Sequence, residues 1–199
     1  MKINKKTGLL EPCKQCASPN KDARPGNTAI DLIVVHSISL PPGVYGGEAI
    51  EQFFQNQLNK NEHPYFEEIH QMQVSSHALI KRTGEIVQFV PFHERAWHAG
   101  QSNYQGRDSC NDFSIGIELE GTDSDNFEDS QYQQLAQLVS VLQMAYPAIS
   151  DHITGHSDIS PCRKKDPGTG FDWDKLKKIS ALMKKQFCQE PAIFTLLEQ

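Results

Sequence analysis

Ile30-Asp31-Leu32-Ile33-Val34-Val35-His36 decides the architecture. It is β-branched and nearly continuously apolar, as in a strand buried on both faces of a helix-covered sheet, and a histidine ends it. Working outward, Ser39 to Gly43 breaks regular structure, and Ile50, Phe53, Phe54 and Leu58 then fall at helical spacing between Glu48 and Leu58. Ser76 to Lys81 and Glu85 to Val90 read as strands joined by the short connection Arg82-Thr83-Gly84. Phe113 to Glu120 alternates, with Ile115, Ile117 and Leu119 on one face and Ser114, Gly116, Glu118 and Glu120 on the other. Ser130 with Gln133 predicts a capping box ahead of the stripe Tyr132, Leu135, Leu138, Val139, Leu142 and Tyr146, which stops at Pro147. A last helix starts at Asp172, buries Trp173, Leu176, Ile179, Leu182, Met183 and Phe187, and ends at Pro191. This succession predicts an α/β fold with a single mixed central β-sheet flanked by helices.

A chain of 199 residues suits one domain. Residues 17 to 29 are turn-rich and without apolar period, so residues 1–29 are expected as an N-terminal arm over the surface, 30–187 as the domain and 188–199 as a C-terminal tail. Nineteen basic against 25 acidic residues give a net charge of −6, which argues against binding nucleic acid or anionic lipid by bulk electrostatics. No apolar run approaches the length of a bilayer span, so no membrane partner is expected. Met1 to Pro12 lacks the pattern of a signal peptide, and five cysteines make no disulfide framework; together they predict a cytoplasmic protein with mostly free thiols. Cys13-Lys14-Gln15-Cys16 has metal-knuckle spacing but no second pair to complete a tetrahedral site, and reads as an ordinary loop pair.

The densest chemistry lies in the loop from Thr154 to Gly168, rich in His, Asp, Lys, Pro and Gly. With the strand-end His36 it offers two histidines and a carboxylate, the three-ligand set of a catalytic zinc site that leaves a fourth position open. A polar ring at the end of an apolar buried strand must find a partner, which singles out His36. The long loop from Pro91 to Asp112 carries Trp97, His98, Tyr104 and Arg107, and loops of that length are more often functional than idle. Periodicity cannot separate Glu118 from Glu120, nor composition Lys164 from Lys165.

The segments Val34-Val35-His36, Ser76-His77-Ala78-Leu79-Ile80, Ala96-Trp97-His98-Ala99-Gly100, Ser114-Ile115-Gly116-Ile117-Glu118 and Gly155-His156 through Lys164-Lys165-Asp166-Pro167-Gly168 resemble the zinc N-acetylmuramoyl-L-alanine amidases, whose superfamily includes the peptidoglycan recognition proteins. Ile38-Ser39-Leu40-Pro41-Pro42-Gly43, His63-Pro64-Tyr65-Phe66 and Cys110-Asn111-Asp112-Phe113 narrow the resemblance to the branch acting on 1,6-anhydro-muropeptides in cytoplasmic cell-wall recycling. The resemblance implies an amidase or peptidoglycan-recognition-like fold, a small muropeptide substrate, a monomer, and one zinc ion per chain on His36, His156 and Asp166. It makes Glu118 the catalytic carboxylate and Lys164 its cationic companion, with Glu120 and Lys165 as solvated charges. Cys162 is a rival third ligand, because other branches use cysteine there. His77 and His152 are expected as structural or supporting groups, and His63, His70 and His93 as surface or packing residues. Trp97, Tyr65 and His98 are expected to line the substrate groove. Relatives often carry arginines where this chain has Gln73 and Ser109, and Asn where it has Ser37, so Arg107 is expected as the nearby cation for the peptide. Arg163, Lys164 and Lys165 place three cations beside the metal. Two alternatives are an amidase of the same fold acting on polymeric peptidoglycan and a binding module without catalysis.

Overall fold

In the computed structural model, which describes residues 1–26 and 28–189, the apolar run becomes the strand Leu32–Ile38 inside a six-stranded sheet. The strands of that sheet, in chain order, are β1 (Lys14–Gln15), β2 (Leu32–Ile38), β3 (Ala78–Ile80), β4 (Ile86–Gln88), β5 (Ser114–Glu120) and β6 (Ile153–Gly155). Their spatial order is β6-β2-β5-β3-β4-β1, and only the β3–β4 hairpin is antiparallel, so the sheet is mixed. Both faces are covered. Ile33, Val35, Ile115, Ile117 and Leu119 pack against α3 (Asp129–Ala145) and α5 (Trp173–Gln189). On the other face Leu79 and Val87 meet Phe53, Phe54 and Phe66 of α1 (Ala49–Phe54) and α2 (Pro64–Ile69). Leu32 and Val34 meet Ala99, Cys110 and Phe113 of the long loop. Residues paired side by side point to the same face, so Ser114, Gly116 and Glu118, opposite Leu32, Val34 and His36, lie beneath that loop. The alternation read in β5 is real, but its polar side faces a covered site and the whole strand is buried.

The arm runs along the surface but is anchored into the domain at Gly8, Leu10, Ser18 and Asn20. Leu10 is 1% exposed within the main core, and its N–H donates to Oε1 of the buried Gln88 at 2.8 Å. Gln88 also donates to the Gly8 carbonyl, β1 pairs with β4, and Lys21–Asp22 pairs with Arg95–Ala96. Arg24 reaches inward to the carbonyls of Phe92, Asn111, Asp112 and Ser114. The segment is held by two-residue ladders and by side chains bonded to backbone, which leave no hydrophobic period.

Two smaller readings shift. The cap of α3 is Glu128, whose N–H donates to Oε1 of Gln131 at 3.0 Å, while the Ser130 hydroxyl donates to the Arg82 carbonyl. Asp172 does open α5, its Oδ1 accepting from the Lys175 amide at 2.9 Å, but Leu182 is exposed rather than buried. The side chain of Phe187, Pro191 and residues 190–199 of the expected tail lie outside the described residues. Cys13, Cys16, Cys110 and Cys162 are free thiols, and no helix among the described residues is long and apolar enough to cross a membrane.

If the arm is part of the core, Leu10→Ala leaves a cavity and lowers the unfolding free energy by about 2–5 kcal/mol in a urea titration. Unchanged stability would put residues 1–29 outside the cooperative unit.

Candidate active site

Parallel strands deliver their carboxyl ends to one edge of the sheet, where open α/β folds place their sites. Three neighbours do so here. His36 lies near the end of β2, Glu118 is its register partner on β5, and pairing of Gly155 with Val35 sets His156 just beyond β6, at the start of the single-turn α4 (His156–Ile159). The loop beyond α4 returns Asp166 to the same point, its carbonyl accepting from the Ser157 amide at 2.9 Å. Asp158 is used differently, its Oδ2 accepting from the Gly155 amide and the Thr154 hydroxyl.

The donor atoms converge. Nδ1 of His36 lies 3.0 Å from Nδ1 of His156, and each lies 3.0 Å from Oδ2 of Asp166. What stands behind the rings assigns their protons. The Cys110 carbonyl can only accept, so the Ser114 hydroxyl donates to it and accepts from Nε2 of His98 at 3.2 Å. Nδ1 of His98 is then an acceptor, 2.9 Å from Nε2 of His36, which carries the proton. Nε2 of His156 donates to the Ala99 carbonyl at 3.1 Å. Both Nδ1 atoms thus turn lone pairs toward each other and toward a carboxylate oxygen, an arrangement that is repulsive without a cation among the three. Their spacing is close to the edge, about 3.3 Å, of a tetrahedron with zinc bonds of ~2.0–2.1 Å, so the residues fit zinc with a fourth position open. Among the described residues this is the one group of His, Cys, Asp and Glu that converges in this way.

Desolvation governs the charges. Burial pushes the His36 imidazole down to about 4 against the opposing pull of Asp166. Burial alone would raise the Asp166 carboxyl, but its contacts with His156 and His36 outweigh this and hold it well below the usual range. Burial lifts Glu118 well above an ordinary carboxylate, Asp166 adds to the rise and Lys164 opposes it.

A cleft of about 570 Å³ opens over these groups. Its floor is His36, His156, Asp166, Glu118, Lys164 and His98; its wall includes Trp97, Tyr65, Ile38, Phe53 and Val74; Ser37 lines it too, with Asp123 and Ser124, which were not foreseen from the sequence. Arg107 is not brought to the cleft. Its guanidinium lies 3.8 Å above the Phe113 ring and pairs with Asp31 at 2.6 Å, because the ribbon Asn103–Tyr104/Arg107–Asp108 carries it away. Arg163 turns to the Ala99 and Gln101 carbonyls and Lys165 is exposed, so Lys164 is the one lysine or arginine among the described residues lining the cleft. Cys162 faces away and is exposed. Glu120 is not a solvated charge: it is 2% exposed, and its carboxylate accepts from the Gly46 and Arg82 amides. His77 is buried, its Nδ1 accepting from the Gly116 amide, and His152 contacts the Asp31 carbonyl, so both hold structure.

Comparison with known proteins identifies the family of the chain. Residues 26–169 match the N-acetylmuramoyl-L-alanine amidase family. The chain is 54% identical over 175 residues to the 1,6-anhydro-N-acetylmuramyl-L-alanine amidase AmpD of Salmonella typhimurium (strain SL1344), covering 88% of this chain and 94% of that one. The crystal structure of a selenomethionine AmpD derivative superposes with a TM-score of 0.87 at 51% identity, over 90% of this chain and 99% of that chain. Escherichia coli AmiD, in complex with the substrate anhydro-N-acetylmuramic acid-L-Ala-D-γ-Glu-L-Lys, superposes with a TM-score of 0.55 at 28% identity, over 86% of this chain and 60% of that chain.

The raised Glu118 carboxyl has a consequence for stability. Its folded pKa exceeds its unfolded value, so the contribution to stability is complete below the ordinary value of 4.5 and is lost as the pH rises through the folded pKa. Glu118→Gln is expected to raise the Tm of the metal-free protein at mildly alkaline pH and to leave it unchanged in acid. Calorimetry showing the same effect at both pH values would exclude a desolvated carboxylate.

Proposed function

Because the chain belongs to the N-acetylmuramoyl-L-alanine amidase family, we propose that it is a zinc-dependent enzyme that cleaves the amide between the lactyl group of 1,6-anhydro-N-acetylmuramic acid and L-alanine in muropeptides. It acts in this reading as a monomer on small soluble substrates in cytoplasmic cell-wall recycling. The observation that carries the chemistry is the register pairing of Glu118 with His36, which sets a buried carboxylate of raised pKa beside a three-donor metal site.

His36, His156 and Asp166 would hold the zinc, which would supply a Lewis acid for the scissile carbonyl and lower the pKa of a water toward ~7. Glu118 accepts a proton from the attacking water and passes it to the departing nitrogen of L-alanine, the role of a buried carboxyl beside the scissile amide whose pKa desolvation raises. Lys164, on the cleft floor, stabilises the oxygen that gains negative charge. His98 supports His36 from behind the metal site. Trp97 and Tyr65 give the sugar and lactyl groups an apolar wall, and the cleft volume lies in the range that holds one small ligand. With Arg107 turned away, no lysine or arginine among the described residues joins Lys164 in lining the cleft, so the wall and the floor carry recognition. The named substrates of AmpD and AmiD support this substrate class.

Incubation of zinc-loaded protein with an anhydro-muropeptide is expected to release free peptide by mass spectrometry, with slower or no release from intact sacculi. No release from the soluble substrate would overturn the reading, and preference for sacculi would favour the polymer-acting alternative. Glu118→Gln is expected to lower kcat about 10²–10⁴-fold with KM nearly unchanged, and Lys164→Ala about 10²–10³-fold. Asp166→Ala is expected to abolish both zinc binding and turnover.

A further inference from the structure

Asn111 touches neither the cleft nor the converging donors, yet it is buried and its side-chain oxygen accepts from two successive backbone amides, His98 at 3.0 Å and Ala99 at 2.7 Å. Those two residues are the ones that stand behind the histidine pair. His98 receives the His36 proton on its ring, and Ala99 receives the His156 proton on its carbonyl. His98 and Ala99 lie in irregular backbone after the two-residue strand Arg95–Ala96, where no ladder partner pairs their amides. An unpaired buried amide is expensive, and here one carboxamide oxygen satisfies two of them.

The surroundings point the same way. Asn111 belongs to the 3₁₀ turn Cys110–Asp112, whose first carbonyl, that of Cys110, ends the proton chain running through Ser114 and His98. Arg163 holds the Ala99 carbonyl from the other side at 2.6 Å. Gly116 leaves the space that the His98 ring fills, because a Cβ there would lie 2.4 Å from the His98 Cγ. A single short turn therefore provides both the acceptor that sets the tautomer of His98 and the acceptor that fixes its backbone.

We propose that Asn111 is a positioning residue for the metal centre: its side-chain oxygen holds the His98-Ala99 dipeptide in the place from which it orients both His36 and His156, with Nδ1 toward the metal. The inference rests on the zinc reading of the site. Asn111 acts only through the dipeptide, and its removal lets both supporting acceptors drift while the ligands themselves remain.

The test is the zinc affinity of the metal-free protein, measured by competition with a chromophoric chelator, with folding followed separately by thermal melts. Asn111→Leu and His98→Ala are expected to weaken zinc binding about 10- to 100-fold, the loss typical when partners behind metal ligands are removed. Asn111→Asp, which keeps an acceptor oxygen, is expected to bind nearly as tightly as wild type. Should Asn111→Leu fail to fold, Asn111→Ser, too short to reach both amides, takes its place. A folded Leu or Ser variant with wild-type zinc affinity overturns the proposal, as does an Asp variant no tighter than these. Wild-type protein that binds zinc no better than Asp166→Ala overturns the metal reading itself. Tight binding that needs Asp166 but ignores position 111 overturns the positioning role alone.

Discussion

The parallel pairing of β2 with β5 is the constraint on which the rest of the site depends. Side-by-side residues in a parallel ladder share a face, so placing His36 opposite Glu118 fixes both the distance and the orientation of the two. The next strand over, β6, ends one residue before His156, and the three side chains meet at one edge. Since helices and the long loop cover both faces, that edge is buried, and the charges there answer to desolvation before anything else. A one-residue slip between β2 and β5 would turn Glu118 to the α3 face while leaving His36 where it is.

Much of this was legible because apolar pattern and chemistry coincide. Leu32–Ile38 announces itself by composition, and a histidine at its end has few roles open to it. The two histidines, Asp166, Glu118 and Lys164 were named from resemblance, and the structure brings them to one cleft. The proton chain was not legible, since Cys110, Ser114 and His98 meet through a backbone carbonyl and two ring nitrogens that no spacing encodes. Glu120 shows the limit of periodicity: a period of two assigns the face but not the partner. Its partners are the amides of Gly46 and Arg82, which lie 74 and 38 residues away. Arg107 shows the same limit for loops, where nearness in sequence to Trp97 and His98 does not fix direction.

The loop that carries Asp166 is positioned with little slack. Beyond it, Gly168 adopts φ +86°, and a Cβ there would lie 1.9 Å from the Asp123 carbonyl oxygen. The segment that lines one side of the cleft is therefore packed against the backbone just beyond Asp166. A side chain at position 168 would have to displace the Asp123 backbone, so the two segments pack only because residue 168 is glycine.

The woven N-terminal segment bears on the order in which the chain can be assembled. Leu10 waits for Gln88, 78 positions later, and Arg24 waits for Ser114, 90 positions later. On a ribosome the first two dozen residues emerge before Gln88 and Ser114 have been made, so these contacts cannot form until the chain has reached β4 and β5. Contacts this distant slow the search for the native topology. A segment that reads in the sequence as a surface arm thus takes its anchors from residues 78 to 90 positions downstream, and its beginning is fixed in place by its middle.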